Sequence, residues 1–542
     1  MTSLAADLRR ARLIAFFLPL LLSAPFLHRA FFVDDGYFVR IATWLKDHPS
    51  APYDFRADDA GRDTLGWEKS GFVRMVNPLA QHYYLALLLK IGGGRIWVLR
   101  LGTALLTGFG AVALFELARR WTSHPLAATA LAAVSPAWWG TAHSLLIDST
   151  MGSLMLGGVY LFIRAAETDS LGRSIASGIL LGLAILSKYP AVFAFPLTAA
   201  WWFLYRKKSG RPWILVVSWV IAAGFLIGYS VWTARLYGRP HILAASARMV
   251  HEFGWPKVVV LLVFFSGACL PAFAAWLTAP RRARALALVG AAAMAFFFAG
   301  PRGGFDVVGA SLLGLFIATA VLFLANVAGE YRGWIWPRDA FVAAWIFGFF
   351  AMMLSVMDWV AVRYYFIVAP AAAIAAVRLV EQTAAAPRRI LAVLLAGSFL
   401  VGGAVVYADY RQAEASRALV ADLRAGGFTG GPRHFYLGDS FTMSYLRAEG
   451  WSPCFADTRL EPGDWILASE VTMPLVWLNR EPVTLKPLVS FDFPTRFPIK
   501  VMDYAGSAGF YASVWGALPY TWSRGPWERY QLYQVVARRE NG

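Results

Sequence analysis

Apolar runs of about 20 residues alternate with short polar turns over most of the chain, and each is long enough to cross a hydrocarbon core of roughly 30 Å. The first run covers 13–32 and follows Arg9, Arg10 and Arg12. A long polar segment, 33–95, comes next, then runs near 96–118, 126–144, 149–163 and 175–205, the last broken at "SKYP". More runs follow 213, flank the loop 235–257 and the turn "PRGGFD", and end with 390–407. Counted in this way, the pattern predicts about thirteen transmembrane helices, with the dense basic clusters gathered on one side as the positive-inside rule requires. The N-terminus is then cytoplasmic, and 33–95 faces the opposite side. The first run exceeds a signal-peptide core and has no small-residue cleavage site before the aspartates, so it reads as a retained span.

Within 33–95, "YFVRIATWLKDH" sets Phe38, Ile41, Ala42 and Leu45 at helical spacing among Arg40, Lys46 and Asp47, the pattern of an amphipathic interfacial helix. "PLAQHYYLALLLK" predicts a second such helix, with proline at its start. Between them lies a polar stretch with Asp58, Asp59, Asp63, Glu68 and Lys69. Beyond 408 the chain is not apolar enough to span. Strand-like "HFYL" and "YQLYQVVA", and helix-like "SFTMSYLRAEG" with Ser440 as N-cap, predict a small α/β domain. The expected division is a polytopic α-helical domain, 1–407, and an outer, periplasmic domain, 408–542. No internal repeat is evident, which argues against inverted-repeat transporters.

Composition agrees with this picture. The chain has 542 residues, 58% hydrophobic and only 15% charged, against roughly a quarter charged in soluble domains. Its formal charge of +17 follows the loops between apolar runs, so no nucleic-acid partner is implied. His82, His143, His241 and His251 fall on the outer side without metal-ligand spacing.

The candidate chemistry begins at "FFVDDGYF", where Asp34 and Asp35 stand at the end of the first span. Adjacent helical residues point about 100° apart, so at most one of the two need face a given cavity. Asp34 suits helix capping. It equally suits a carboxylate held at the bilayer boundary to take a proton from a hydroxyl.

The acidic pair after the first span, the interfacial helix, and then "NPLAQHYYLALLLKIGGGRIWVLRLGTAL" resemble the GT-C superfamily of membrane glycosyltransferases. The likeness is to bacterial glycosyltransferase family 39 proteins, kin of protein mannosyltransferases and lipid A aminoarabinose transferases. Asn77, Pro78, Leu79, Tyr83 and Tyr84, then Leu99 and Arg100, match the family's "PPLYY"-like and "LR" segments. "LLIDSTMGSLMLGGVYLFIRA", "GLAILSKYPAVFAFP" and "VRYYFIVAPAAAIAA" continue the likeness in order. Two departures stand out: many relatives carry Asp-Glu at the position of Asp34-Asp35, and Asn77 replaces a proline.

The resemblance implies transfer of a sugar from a polyprenyl-phosphate donor to a lipid, glycan or protein acceptor, at the outer face of a bacterial inner membrane. It assigns the catalytic base to Asp34, with Asp35 second, and places Asp148 near the active-site cavity. Some GT-C enzymes bind a divalent ion, magnesium or manganese, with the donor phosphate. Such a donor needs an apolar groove for its lipid and fixed positive charge at its leaving phosphate. Lys188, just before Pro190, suits an anion site at a helix start as well as snorkelling at a span end. Arg363, opening the run at "VRYYF", needs an anion to offset the helix dipole, either a phosphate or Asp358. Tyr364 and Tyr365 fit the site or, more simply, the aromatic belt. Arg100 is a charge near membrane depth, expected to face a cavity, a first-loop aspartate or the donor. Rival readings are a lipid or glycan flippase and a ligase or polymerase that uses pyrophosphate-linked donors.

Overall fold

The computed structural model describes residues 2–54, 72, 75–205, 211–247, 254–299, 304–333, 340–437, 440–454, 458–472 and 483–538. Asp58, Asp59, Asp63, Glu68, Lys69, the centre of the basic turn after 205, and His251 lie outside the described residues.

The protein is a multi-pass helical assembly with a sheet-containing domain at its C-terminal end. Among the described residues four helices are long and apolar enough to cross a membrane, including Ile96–Ala118 and Pro387–Ala425. Two bent pairs add a broken span each: Pro136–Ala142 with Ile147–Thr168, turning by 114°, and Trp255–Ala268 with Leu270–Thr278, turning by 91°. The count of about thirteen is thus matched in part, by four to six qualifying spans and by shorter or less apolar helices such as Leu171–Ser187 and Ala340–Val356.

Both helices expected within 33–95 form, as Asp35–Asp47 and Ala80–Ile91. The first buries Phe38, Ile41, Ala42 and Leu45, the face expected from their spacing. The last span is longer than its apolar stretch. Pro387–Ala425 has 39 residues, which at 1.5 Å per residue reach about 58 Å, nearly twice a hydrocarbon core. It therefore runs straight through the expected domain boundary at 407/408. No proline interrupts it after its first residue, and its polar half keeps helical spacing. There Leu419, Val420 and Leu423 pack with Tyr436, Leu467 and Leu532 of the C-terminal sheet.

That sheet has five strands, in the order Ser452–Pro453, His434–Tyr436, Trp465–Ser469, Glu528–Arg538, Val483–Phe493. The first three run parallel and the last two pair antiparallel. The helix Ser440–Ala448 follows the strand His434–Tyr436, and together these elements form the α/β unit expected from the sequence.

Candidate functional site

Helix breaks build the site. A break frees backbone groups that hydrocarbon cannot satisfy, so it survives at membrane depth only where protein or a cavity surrounds it. The chain breaks after Ala142, and Asp148 opens the next helix in its first turn. It breaks again at Lys188, whose backbone is extended (φ −156°, ψ 129°), because the proline in "SKYP" forces a new start in the turn Tyr189–Phe193. It breaks a third time before Arg363, in the 3₁₀ turn Val362–Ile367 that precedes the helix Ala369–Thr383.

These breaks meet the end of the first span. Lys188 Nζ donates to Asp148 Oδ1 at 2.7 Å. Arg363 Nε lies 3.6 Å from Asp148 Oδ2, and Arg363 Nη1 lies 3.5 Å from Asp34 Oδ2. The Tyr364 ring lies 4.3 Å from Lys188 Nζ and 5.5 Å from the Arg363 guanidinium carbon. Asp148, Lys188 and Arg363 have side chains 3%, 8% and 12% exposed, whereas Asp34 keeps 31%. Asp34 occupies the N-cap position of Asp35–Asp47 but makes no side-chain capping bond, and its carboxylate faces Arg363 instead. Among the described residues the cluster sets two cations against two carboxylates. Both Arg363 contacts exceed the roughly 2.7–2.9 Å of a charge-assisted hydrogen bond, and Nη1 is buried with no hydrogen-bond acceptor. Arg363 is thus held by ion pairs too long to be strong hydrogen bonds, a geometry that suits an incoming anionic oxygen.

Beside this cluster lies a narrow cleft with a free volume of about 10 Å³, lined by the polar Asp148, Lys188 and Tyr364 and by the apolar Met151, Pro190, Met352, Met353, Met357 and Ile367. Unbranched, polarisable methionines form an adaptable apolar wall.

Asp35 and Arg100 sit elsewhere. Asp35 is fully buried; Arg29 and Arg100 each reach its Oδ2 at 3.0 Å, and the Leu145 amide donates to its Oδ1 at 2.9 Å. Arg100 also donates to the carbonyls of His143 and Arg29, at 2.8 and 3.1 Å. Arg100 thus meets a first-loop aspartate, one of the partners expected for it, in a dry knot that also satisfies backbone freed between Ala142 and Ile147. The knot continues from Arg29 to Asp409 at 2.8 Å, and Asp409 takes hydrogen bonds from the Tyr511 hydroxyl at 2.7 Å and the His143 ring at 2.8 Å. Sequence reasoning passed over Arg29, Asp409 and Tyr511. Arg29 and Asp409 have one signal, a charge at the end of an apolar run, in "LHRAFF" and "VVYADYR"; Tyr511 has none.

Tyr83 does not join the cluster. Its hydroxyl donates to the Pro49 carbonyl at 2.7 Å and ties Ala80–Ile91 to the end of Asp35–Asp47; burial pushes this phenol up to about 12. A set of aromatics flanks the Lys188 break: Tyr189 bonds His241 at 2.8 Å, and Tyr53 stacks on His241 with centroids 4.9 Å apart. Burial pulls His241 down to about 4, against a smaller opposing effect of the Met75 carbonyl.

The family model of dolichyl-phosphate-mannose-protein mannosyltransferases matches residues 76–236. That segment contains Tyr83, Arg100, Asp148 and Lys188, while Asp34 and Arg363 lie outside it. Among solved structures, the chain is similar to ArnT from Cupriavidus metallidurans bound to undecaprenyl phosphate, at 16% identity and a TM-score of 0.39, over 99% of this chain and 100% of that one. The apo state of the same protein gives 0.40 at 16% identity, over 99% of each chain. The arabinosyltransferase EmbB from Mycobacterium smegmatis gives 0.34 at 16% identity, over 89% of this chain and 45% of that one. A comparison with curated proteins found no match. The family match supports the resemblance to GT-C membrane glycosyltransferases.

Proposed function

We propose that this chain, whose segment 76–236 fits the mannosyltransferase family, is a GT-C glycosyltransferase that moves a sugar from a polyprenyl-phosphate donor to an acceptor hydroxyl at the periplasmic face. The observation that carries this reading is Arg363, buried beside Lys188 and held between Asp34 and Asp148 by contacts of 3.5 and 3.6 Å, longer than charge-assisted hydrogen bonds.

In this reading the donor phosphate enters between Lys188 and Arg363, and its lipid lies along Met151, Met352, Met353 and Met357. Entry replaces the long Asp34–Arg363 contact with a short charge-assisted bond to phosphate. Asp34, the most exposed group of the cluster, takes the proton of the acceptor hydroxyl. The oxygen attacks the anomeric carbon from the face opposite the phosphate, with inversion. Charge building on the leaving phosphate is met by Lys188 and Arg363, which are already fixed by Asp148 and so need little reorganisation. Asp35 serves as a structural anion in the knot. The two aspartates offer no shared site for a magnesium or manganese ion, because Asp35 is enclosed by Arg29 and Arg100 while Asp34 faces Arg363.

Purified protein in detergent, given synthetic polyprenyl-phosphate sugars and a mixture of acceptors, should transfer sugar without any ion gradient. Polyprenyl monophosphate should compete better than the diphosphate. Lipid movement that needs a gradient, or transfer only from pyrophosphate donors, would overturn the reading.

A further inference from the structure

We propose that the C-terminal domain is a positioning element of the transfer site and that Tyr511 is the residue through which it acts. The proposal rests on the role given to Asp34 above. The segment that carries Asp34 is gripped from outside by residues beyond 408. Arg417 donates to the His28 carbonyl at 2.9 Å, Glu414 accepts the Ala30 amide at 2.7 Å, and the Tyr445 hydroxyl accepts the Phe31 amide at 2.8 Å. The helix Ser440–Ala448 approaches so closely that a Cβ at Gly36 would lie 2.1 Å from Ser444 Oγ.

From beneath, the grip is Tyr511. Its hydroxyl donates to Asp409 at 2.7 Å and accepts from Arg29 at 3.2 Å, and Arg29 pairs with Asp35, the neighbour of Asp34. The residues flanking Tyr511 hold the other half of the site. The Phe510 carbonyl accepts the Val362 amide at 3.0 Å, the Ser513 hydroxyl accepts the Val360 amide at 3.0 Å, and the Ser513 amide donates to the Val360 carbonyl at 2.7 Å. Val362 immediately precedes Arg363. One short loop, 510–513, therefore fixes both the segment that presents the base and the segment that presents the phosphate cation.

The first loop shows why such a grip is needed. Val33 has φ +51°, in the left-handed region that a β-branched residue rarely adopts. Such a conformation persists only when its surroundings over-determine it. It sets the turn after which Asp34 faces Arg363 and Asp35 faces the knot.

The test uses the full-length protein. Tyr511→Phe removes one hydroxyl and keeps the ring; Val33→Gly relieves the backbone. Turnover is counted per donor-binding site, titrated with polyprenyl phosphate, and hydrogen exchange is followed over 28–36. Tyr511→Phe should exchange faster over 28–36 and lose about ten- to a hundredfold in turnover per site, with the donor KM nearly unchanged. Val33→Gly also deletes a buried side chain, so its thermal midpoint should fall; its turnover should also fall when counted per donor-binding site, which a folding defect alone does not produce. Unchanged exchange in Tyr511→Phe overturns the proposal, and so does faster exchange with full turnover per site. A wild-type protein that transfers no sugar overturns the preceding reading instead and leaves the clamp to stand or fall on the exchange data.

Discussion

Asp34 and Asp35 are neighbours in the chain and belong to separate environments. Asp35 is enclosed by two guanidiniums with no exposure, while Asp34 keeps about a third of its surface and stands 3.5 Å from Arg363. The helix that begins at Asp35 sets their divergence, since it sends successive side chains about 100° apart. The two residues therefore answer differently to the same substitution.

Asp34→Asn should keep the fold and lose catalysis. A general base contributes about 10²–10⁴-fold, so sugar transfer should fall at least about a hundredfold while the thermal midpoint stays within a few degrees. Radiolabelled transfer and thermal unfolding of the same preparation check this.

Asp35→Asn should do the reverse. It leaves Arg29 and Arg100 facing each other without their shared anion, and breaking a buried pair in this way costs about 3–5 kcal/mol. Yield and thermal midpoint should drop sharply. The protein that does fold should still bind polyprenyl phosphate, which a filter-binding or calorimetric titration would show.

Lys188→Met should weaken donor binding. Hydrogen bonds to charged groups contribute about 1.5–3 kcal/mol, which is roughly a ten- to 150-fold rise in the Kd for polyprenyl phosphate. It also strands Asp148, which is 3% exposed. Adding Asp148→Asn should restore stability without restoring affinity, and the double-mutant cycle separates the two effects.

A pH effect on stability should come from the C-terminal domain. Burial raises the Glu528 carboxyl to about 7, although Thr472, Val471 and Arg529 all donate hydrogen bonds to it. The folded protein then holds this proton more tightly than the unfolded chain, whose value is near 4.5. The associated stability is fully present below about pH 4.5 and is lost as pH rises through 7, at most about 3 kcal/mol. Glu528→Gln should flatten the dependence and raise the thermal midpoint at pH 8. An unaltered slope between pH 5 and 8 would contradict it.

Much of the site was legible because membrane burial makes each polar residue conspicuous. Asp148, Lys188 and Arg363 stand at interruptions of apolar runs, and "SKYP" carries its own breaker. The cleft was less visible, since Met352 and Met353 read as ordinary span residues until the broken helices bring them beside Lys188. Tyr364 was assigned to the aromatic belt in preference to the site, because an interfacial position alone does not distinguish a ring facing lipid from one facing a lysine. Arg100 was expected near a cavity, aspartate or donor, and only the fold selects the aspartate.

Hydrophobic periodicity and the placement of charge determined, without any coordinates, that this chain is a multi-pass helical protein with a mixed domain at its end and acidic and basic groups near its polar loops. Those are local properties, set by residue type and by spacing within one element. Which aspartate meets Arg363, which arginines close around the other, and that Tyr511 joins Arg29 to Asp409 were decided by the tertiary structure. An ion pair forms between groups hundreds of positions apart, and its geometry follows from how the helices cross.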